Sequence, residues 1–240
     1  TYIMAAGGGN TTVYSGVKHW EVSSGKVLQS YYNAVRIFNY FINTAEANKK
    51  EGKISGDATL IDNYIGEGYF FRALTYYRML ALYGDLPIVK EVLENVDADI
   101  VANSKRAPRT EVADFIISDL NTAYNLLCPR SKFNGQRVCK EAAALLKSRV
   151  ALFEATFEKY HKGSGRVPGD ANWPGAKMSY NAGKTFDIDA HVNNLLAEAM
   201  DAAQKAVNGV ELTTNNHMLE PVVGVATGWN PYFEMYSQPS

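Results

Sequence analysis

The paired acids are the residues of this chain best suited to hydrolytic chemistry, because two carboxylates can share the acid and base roles of glycoside cleavage. Asp97 and Asp99 lie in a polar stretch, and Asp187 and Asp189 flank the predicted start of a helix. Acids at a helix start commonly cap the chain or complement the helix dipole. We therefore expect a structural role for Asp187 and Asp189. An α-helical glycosidase stays an alternative that a reducing-sugar assay would reveal.

The sequence lacks other patterns that carry chemistry. The four histidines are scattered, with no HExxH and no paired cysteines, so no metal site is expected. The glycine run at 7–9 has neither the Lys-Ser/Thr nor the preceding strand of a phosphate-binding loop. The segment 163–165 is not a Gly-x-Ser-x-Gly elbow. The sequence predicts no enzyme activity and no cofactor.

Composition narrows the class of protein further. The 240 residues carry 24 Lys+Arg and 25 Asp+Glu, a formal net charge of -1, which disfavours nucleic acid as the main partner. A hydrophobic content of 46% is incompatible with intrinsic disorder. No apolar stretch reaches the roughly 20 residues of a membrane span. The 15 tyrosines suit sugar- or peptide-binding surfaces as well as helix packing.

The elements that must position any site are helices. Apolar residues recur at three- and four-residue steps over about 27–49, 58–83, 112–127, 140–160 and 190–208. The second segment is apolar nearly all round, which predicts neighbours on more than one side. We expect Asp57 to cap its start, the turn from Gly84 to Pro87 to end it, and Thr110 to cap the third helix.

The connections between these helices are polar or rich in glycine and proline. Residues 90–108 are predicted to form a loop, and 161–188 a second, long one of the kind that is usually functional. Strand alternation is absent apart from a short candidate at 224–226. The sequence therefore predicts an all-α fold of antiparallel helical hairpins, of tetratricopeptide type, with long irregular loops.

The most distinctive segment is IGEGYFFRALTYYRMLALYGDLPIV at 65–89. It closely resembles the signature helix and turn of the SusD/RagB family. Four further segments resemble that family in the same order: YNAVRIFN at 32–39, PRT with FIISDL at 108–120, GQRVCKEAA at 135–143 and NPYF at 230–233. Because these motifs extend over about residues 20–233, the chain is identified as a member of that family, with a SusD-like fold.

This resemblance implies a function. The family's proteins are lipid-anchored nutrient-binding proteins of the outer membrane that face the cell exterior. The resemblance implies an oligosaccharide ligand, delivery to a SusC-like TonB-dependent transporter, and no bond cleavage. A peptide-binding, RagB-like uptake protein and a generic tetratricopeptide interaction scaffold are the alternatives.

The resemblance also bears on the extent of the chain. Family members are usually longer, so we expect residues 1–240 to be one SusD-like helical domain truncated at both ends. The leader with its lipid-attachment cysteine and the C-terminal half would then be absent.

The family motif itself is predicted to build the fold. Arg72 lies on an otherwise apolar helix and needs a partner, because a buried unpaired charge is very costly. Asp119 is the candidate partner. The other motif residues given this structural role are Tyr83, Gly84, Asp85 and Pro87.

Sugar binding needs exposed aromatic rings beside groups that hydrogen-bond hydroxyls. In the family these contacts come from loop residues that vary with the ligand, so the motifs do not transfer them. The candidates on predicted loops are Tyr14, Trp20, Trp173, Tyr180, Trp229 and Tyr232, with Asn172 and Lys177 as hydroxyl partners.

The two cysteines are the last feature. Cys128 is predicted at the end of one helix and Cys139 at the start of its antiparallel neighbour. Cys139 stands where the family commonly has Thr. A disulfide that closes the short intervening loop is a hypothesis, and two free thiols are the alternative.

Overall fold

The computed structural model describes residues 26–94 and 96–210, and this part of the chain is helical. Its six α-helices are α1 (Lys26–Lys50), α2 (Ala58–Tyr83), α3 (Asp97–Asn103), α4 (Arg109–Leu126), α5 (Lys140–His161) and α6 (Ile188–Val207). The described residues form no strand; an isolated antiparallel bridge joins Leu86 to Ala107. The all-α prediction is confirmed.

The chain divides into two compact units, Thr1–Ala206 and Val207–Ser240. Of the second unit the structure describes residues 207–210, where the Val210 amide donates to the Val207 carbonyl at 3.0 Å. The strand candidate at 224–226 lies outside the described residues. A single domain over all 240 residues stays a prediction.

Helix α2 is the centre of the first unit. It packs against α1 and against α4, and α4 packs in turn on α5. Two partners explain why α2 has no polar face, and its Ala73, Tyr76 and Met79 are fully buried. Glycine at 68 permits the close approach of α1, since a Cβ there would lie 2.9 Å from Cδ1 of Phe41.

The ends of α2 follow the sequence prediction. The Asp57 carboxylate accepts a hydrogen bond from the Thr59 amide at 2.8 Å, as expected of an N-cap. Gly84 ends the helix with a φ of 71°, a backbone conformation that favours glycine, and its amide donates to the Leu80 carbonyl at 3.0 Å.

The predicted cap of the helix α4 is wrong. That helix begins at Arg109, after Pro108, and Thr110 lies buried inside its first turn. The Arg109 amide donates instead to the Asp85 carboxylate at 2.9 Å. An acid from the turn after α2 therefore replaces the local cap, which a local sequence pattern does not reveal.

The predicted loop at 90–108 is also corrected, because it contains α3. Asp99 accepts from the Glu94 amide at 2.8 Å and from the Asn103 side chain at 2.9 Å, and these bonds hold the short helix together. No residue of α3 is buried. Without an apolar stripe, periodicity had no signal for this helix.

The buried charge on α2 has the partner that was predicted. Arg72 donates from Nε and Nη2 to the two Asp119 oxygens, at 2.7 and 2.8 Å, and from Nη1 to Oδ1 of Asn39 at 2.9 Å. All three side chains are buried. The cluster therefore ties α1, α2 and α4 together inside the first unit.

The disulfide hypothesis is not supported, because Cys128 and Cys139 are separate buried thiols in this structure. Their segments do meet, since the Lys140 amide donates to the Cys128 carbonyl at 3.0 Å. Cys139 occupies the N-cap position of α5. Burial raises the pKa of the Cys139 thiol, against the opposing effect of the Ala142 amide, so the unreactive thiol form is favoured.

We expect both cysteines to be free in the purified protein. Iodoacetamide should modify neither thiol rapidly in the native state, because both are buried. After unfolding in urea without reductant, it should modify both. Mass spectrometry of the alkylated chain measures this. A chain that accepts the label only after reduction would contradict the structure and restore the disulfide.

Candidate functional site

A cleft of about 680 Å³ opens at the C-terminal end of α2. Its walls are formed by α2 and the turn after it, by the segment that leads into α4, by α5, and by the long connection between α5 and α6. Those that bear on its chemistry are Tyr83, Gly84, Asp85, Arg106, Arg109, Phe157, Arg166, Trp173 and Tyr180. The cleft thus lies between the turn after α2, which carries Gly84 and Asp85, and the long connection between α5 and α6.

Asp85 holds these elements together. One carboxylate oxygen accepts from the Trp173 indole at 2.8 Å and the other accepts from the Arg109 amide at 2.9 Å. Burial raises the pKa of Asp85, and these two hydrogen bonds act in the opposite direction. The carboxylate therefore fixes the wall of the cleft, and both of its oxygens are occupied.

Arg109 is similarly engaged. Its guanidinium donates to the two Glu154 oxygens at 2.5 and 2.7 Å, and its Cζ lies 3.4 Å from the centre of the Phe157 ring. Glu154 is completely buried and Arg109 nearly so. Such a bidentate pair holds the side chain in one orientation, which makes this side of the cleft rigid.

The long connection between α5 and α6 is ordered around Trp173. Short 3₁₀ turns at Pro174–Lys177 and Ser179–Asn181 follow it. The indole is 3% exposed and meets Phe186 edge-on, with ring centres 5.4 Å apart. Gly175 lies so near the indole that a Cβ there would be 2.1 Å from it. The buried Trp173 therefore anchors the middle of the 161–188 segment, most of whose residues are exposed.

The comparisons with known proteins agree with the motifs. A SusD-like family model, described as "Starch-binding associating with outer membrane", matches residues 9–152, which is more than half of the chain. The chain belongs to the SusD-like family. Its helices α1, α2, α3 and α4 lie within the matched range, as does the turn that carries Asp85.

Individual SusD-like proteins are also similar to parts of this chain. SusD-like protein P2 of Formosa agariphila is 32% identical over 114 residues, which are 48% of this chain and 22% of that protein. A SusD-like protein of known structure from Bacteroides fragilis is 32% identical and covers 57% of this chain and 25% of its own, with a TM-score of 0.45. Another solved structure, 21% identical, covers 85% of this chain and 34% of its own, with a TM-score of 0.52, and shares the fold. This chain therefore spans about a fifth to a third of the length of these proteins.

The structure brings two of the predicted ligand-binding residues of this SusD-like chain into one cleft, Trp173 and Tyr180. Trp173 is buried, so it is not the exposed ring that sugar stacking requires, whereas Tyr180 is half-buried on the cleft wall. Asn172 and Lys177 are exposed on the same segment and do not line the cleft. The remaining candidates, Tyr14, Trp20, Trp229 and Tyr232, lie outside the described residues and stay predictions.

The acids considered for catalysis have structural contacts. Asp187 accepts from the Ala190 amide at 3.0 Å at the start of α6, and Asp189 pairs with Lys162 at 2.6 Å. Asp97 and Asp99 occupy the first turn of α3. Among residues 26–94 and 96–210, no group of three or more His, Cys, Asp and Glu side chains is arranged to hold a metal ion. Nor does any helix of that part have the length and apolarity to cross a bilayer.

Sequence reasoning missed a buried acid network next to the cleft. Glu158 is completely buried on α5, and its carboxylate lies 2.7 Å from Nδ1 of His191 on α6. The other ring nitrogen of His191 lies 3.1 Å from Asp114 of α4. A usable signal was present in the sequence, because Glu154 and Glu158 are four residues apart, each directly after a phenylalanine, and so lie on one side of the helix.

Replacing Asp85 with Ala should lower the free energy of unfolding by about 1–3 kcal/mol, because the Trp173 indole and the Arg109 amide both lose their acceptor. Trp173 should also become more accessible. Urea unfolding and acrylamide quenching in a Trp20→Phe/Trp229→Phe background measure the two effects. The exposed Asp97→Ala is the control, with an expected change within about 0.5 kcal/mol. An Asp85→Ala protein with the stability and quenching of that background would contradict the assigned role.

Proposed function

We propose that the protein binds oligosaccharides at the cell surface and passes them to a TonB-dependent outer-membrane transporter without cleaving them. The family model supports carbohydrate binding and association with the outer membrane, since its description names both. The observation that carries the proposal is the cleft at the end of α2, where the family's turn motif meets the Trp173 segment.

The chemistry of this cleft fits a sugar. Its volume of about 680 Å³ lies within the range of pockets that hold small ligands. Tyr83 and Tyr180 each contribute an apolar ring and a hydroxyl, and Arg106 and Arg166 contribute hydrogen-bond donors. The Asp85 and Arg109 contacts keep these walls in place before a ligand arrives, which reduces the cost of ordering them on binding.

Attachment and partner belong to the same proposal. A lipid anchor on the N-terminal part of the precursor would hold the protein at the outer membrane. A SusC-like transporter would then receive the captured glycan. We propose that recognition and delivery are the whole mechanism, so mixed polysaccharides should yield no reducing ends in the presence of the protein.

Calorimetric titration of the chain with a panel of oligosaccharides tests the proposal. Tyr180→Ala should weaken binding about three- to tenfold, because it removes one aromatic contact. The matched control is Tyr160→Ala, which removes a 76% exposed tyrosine that does not line the cleft. A response to peptides and to no sugar would instead establish a RagB-like peptide-uptake protein. Sugar binding that Tyr180→Ala leaves unchanged would move the site away from this cleft.

A further inference from the structure

Two arginines stand at the cleft without an ion-pair partner in the described part of the chain. Arg106, just before α4, and Arg166, in the long connection, are both exposed, and both line the cleft. Neither lies within ion-pair distance of a carboxylate of those residues. By contrast, Arg72, Arg109 and Arg137 each donate two hydrogen bonds to a single carboxylate.

The other charges that line the cleft are already compensated or occupied. Arg109 is paired with the buried Glu154, so its positive charge is balanced. Asp85 is the one carboxylate among the lining residues, and both of its oxygens accept hydrogen bonds from the protein. The indole and amide donors leave the negative charge of Asp85 in place, and this charge attracts Arg106. With Arg106 and Arg166 against Asp85, the lining keeps one net positive charge, and the two exposed guanidinium groups are the donors left for a ligand.

Guanidinium groups select oxyanions. Each presents a planar set of N–H donors that matches a carboxylate or a tetrahedral oxyanion through two parallel hydrogen bonds. Tyr83 and Tyr180 line the same cleft and offer rings and hydroxyls of the kind that a sugar ring contacts. A cleft that combines both features suits a sugar that bears a negative charge better than a neutral one.

We propose that this cleft binds acidic glycans, whose sugar rings carry carboxylate or sulfate groups, and that Arg106 and Arg166 recognise those groups. This inference rests on the proposed function, since it names the ligand class of the same cleft. The pairing is made at the rim of the cleft, in contact with solvent, so it should weaken as the salt concentration rises.

Calorimetric titration of the 240-residue chain with matched ligands tests the inference. Trigalacturonate is compared with its methyl ester, which removes the negative charges and adds a methyl group to each carboxylate. A sulfated disaccharide is compared with its unsulfated parent. The charged member of at least one pair should bind about tenfold more tightly, and which pair responds distinguishes carboxylate from sulfate recognition. Arg106→Gln and Arg166→Gln should each weaken that binding about fivefold.

Arg149→Gln is the matched control, because it removes the same charge from an exposed position on α5 that does not line the cleft. It should leave the affinity within about twofold of the original value. If all three variants weaken binding equally, the effect is one of net charge and the assignment to Arg106 and Arg166 is overturned. Competition by inorganic sulfate at the same concentration as the sulfated sugar would overturn the assignment to a glycan.

Failure of the two proposals can be told apart. Equal affinity for the charged and neutral members of both pairs would overturn the acidic-glycan inference and leave oligosaccharide binding in place. Binding of no member of either pair, and of no sugar in the wider panel, would overturn the proposed function and the inference with it.

Discussion

Replacing Asp119 with Ala should lower the free energy of unfolding by about 3–5 kcal/mol, because it leaves the guanidinium of Arg72 buried without its counter-ion. Both side chains are 5% exposed, and the two hydrogen bonds between them measure 2.7 and 2.8 Å. Asn39 would remain as an acceptor for Nη1 of Arg72, but an amide oxygen does not neutralise the charge. Urea unfolding monitored by circular dichroism measures the loss.

A second arginine–carboxylate pair provides the control. Arg137 and Glu67 form the same bidentate contact, at 2.8 and 2.7 Å, with Arg137 33% exposed. Solvent screens this pair, and Glu67 would keep the Asn63 side chain as a hydrogen-bond donor, so Arg137→Ala should cost about 1 kcal/mol or less. Similar losses for the two variants would contradict the view that burial, and not pairing itself, makes Asp119 important.

The loss expected for Asp119→Ala is a large part of the stability of a typical domain, so a second variant is needed that tests the same pair in a folded protein. The double variant Arg72→Met/Asp119→Leu removes both charges together and should regain most of the lost free energy. A double variant that stays as unstable as Asp119→Ala would show that the cost comes from lost packing and not from an unpaired charge.

The Arg72–Asp119 pair shows what local sequence could predict. An arginine on a helix that is apolar all round must be buried, and a buried arginine must be paired. The same periodicity gave α2 its observed bounds and placed α1, α5 and α6 within two residues of theirs, and α4 within three. The helix bounds depend on residues that are close in sequence, and the pairing of Arg72 follows from the high cost of burying an unpaired charge.

The contacts that sequence did not predict are made between distant segments. Asp85 caps α4 from 24 residues away and binds Trp173 from 88 residues away. No local pattern distinguishes this buried Trp173 from an exposed loop tryptophan that could stack on a sugar. The part of the site that could be anticipated was its aromatic and loop composition, whereas the position of the cleft required the tertiary structure.

The second large effect concerns His191, whose replacement by Ala should cost about 2–3 kcal/mol at pH 7, since Glu158 is completely buried and loses its cation. The figure is below that for Asp119 because His191 is partly exposed to solvent. Five charged groups from three helices meet here: Arg109 and Asp114 of α4, Glu154 and Glu158 of α5, and His191 of α6.

The pH dependence of this effect has a definite sign. Burial alone would lower the pKa of His191, but hydrogen bonds and attraction to Asp114 and Glu158 outweigh it and raise the pKa to about 10. The folded protein therefore keeps a proton that the unfolded chain releases near its ordinary value of 6.5. The stabilisation is fully present below that value and is lost as the pH rises through 10.

Glu154 acts in the same direction at lower pH. Burial raises the pKa of its carboxyl above the ordinary value of 4.5, although Arg109 opposes the shift. The folded state then binds this proton more tightly than the unfolded chain does, so its contribution also falls as the pH rises above 4.5.

Urea unfolding of the original protein and of His191→Ala at pH 6, 8 and 10 measures this dependence. The quantity compared is the difference between their free energies of unfolding, because groups that titrate equally in both proteins cancel in it. The difference should be largest at pH 6 and should shrink by more than half at pH 10.

His161→Ala is the control, because His161 stacks on Phe157 and its ring nitrogen contacts a backbone carbonyl, with no carboxylate partner in the described residues. The loss of unfolding free energy caused by His161→Ala should not show the decrease between pH 6 and pH 10 that is expected for His191→Ala. A cost of His191→Ala that is the same at pH 6 and at pH 10 would mean that His191 carries no proton in the folded protein, and the two buried carboxylates would then depend on Arg109 alone.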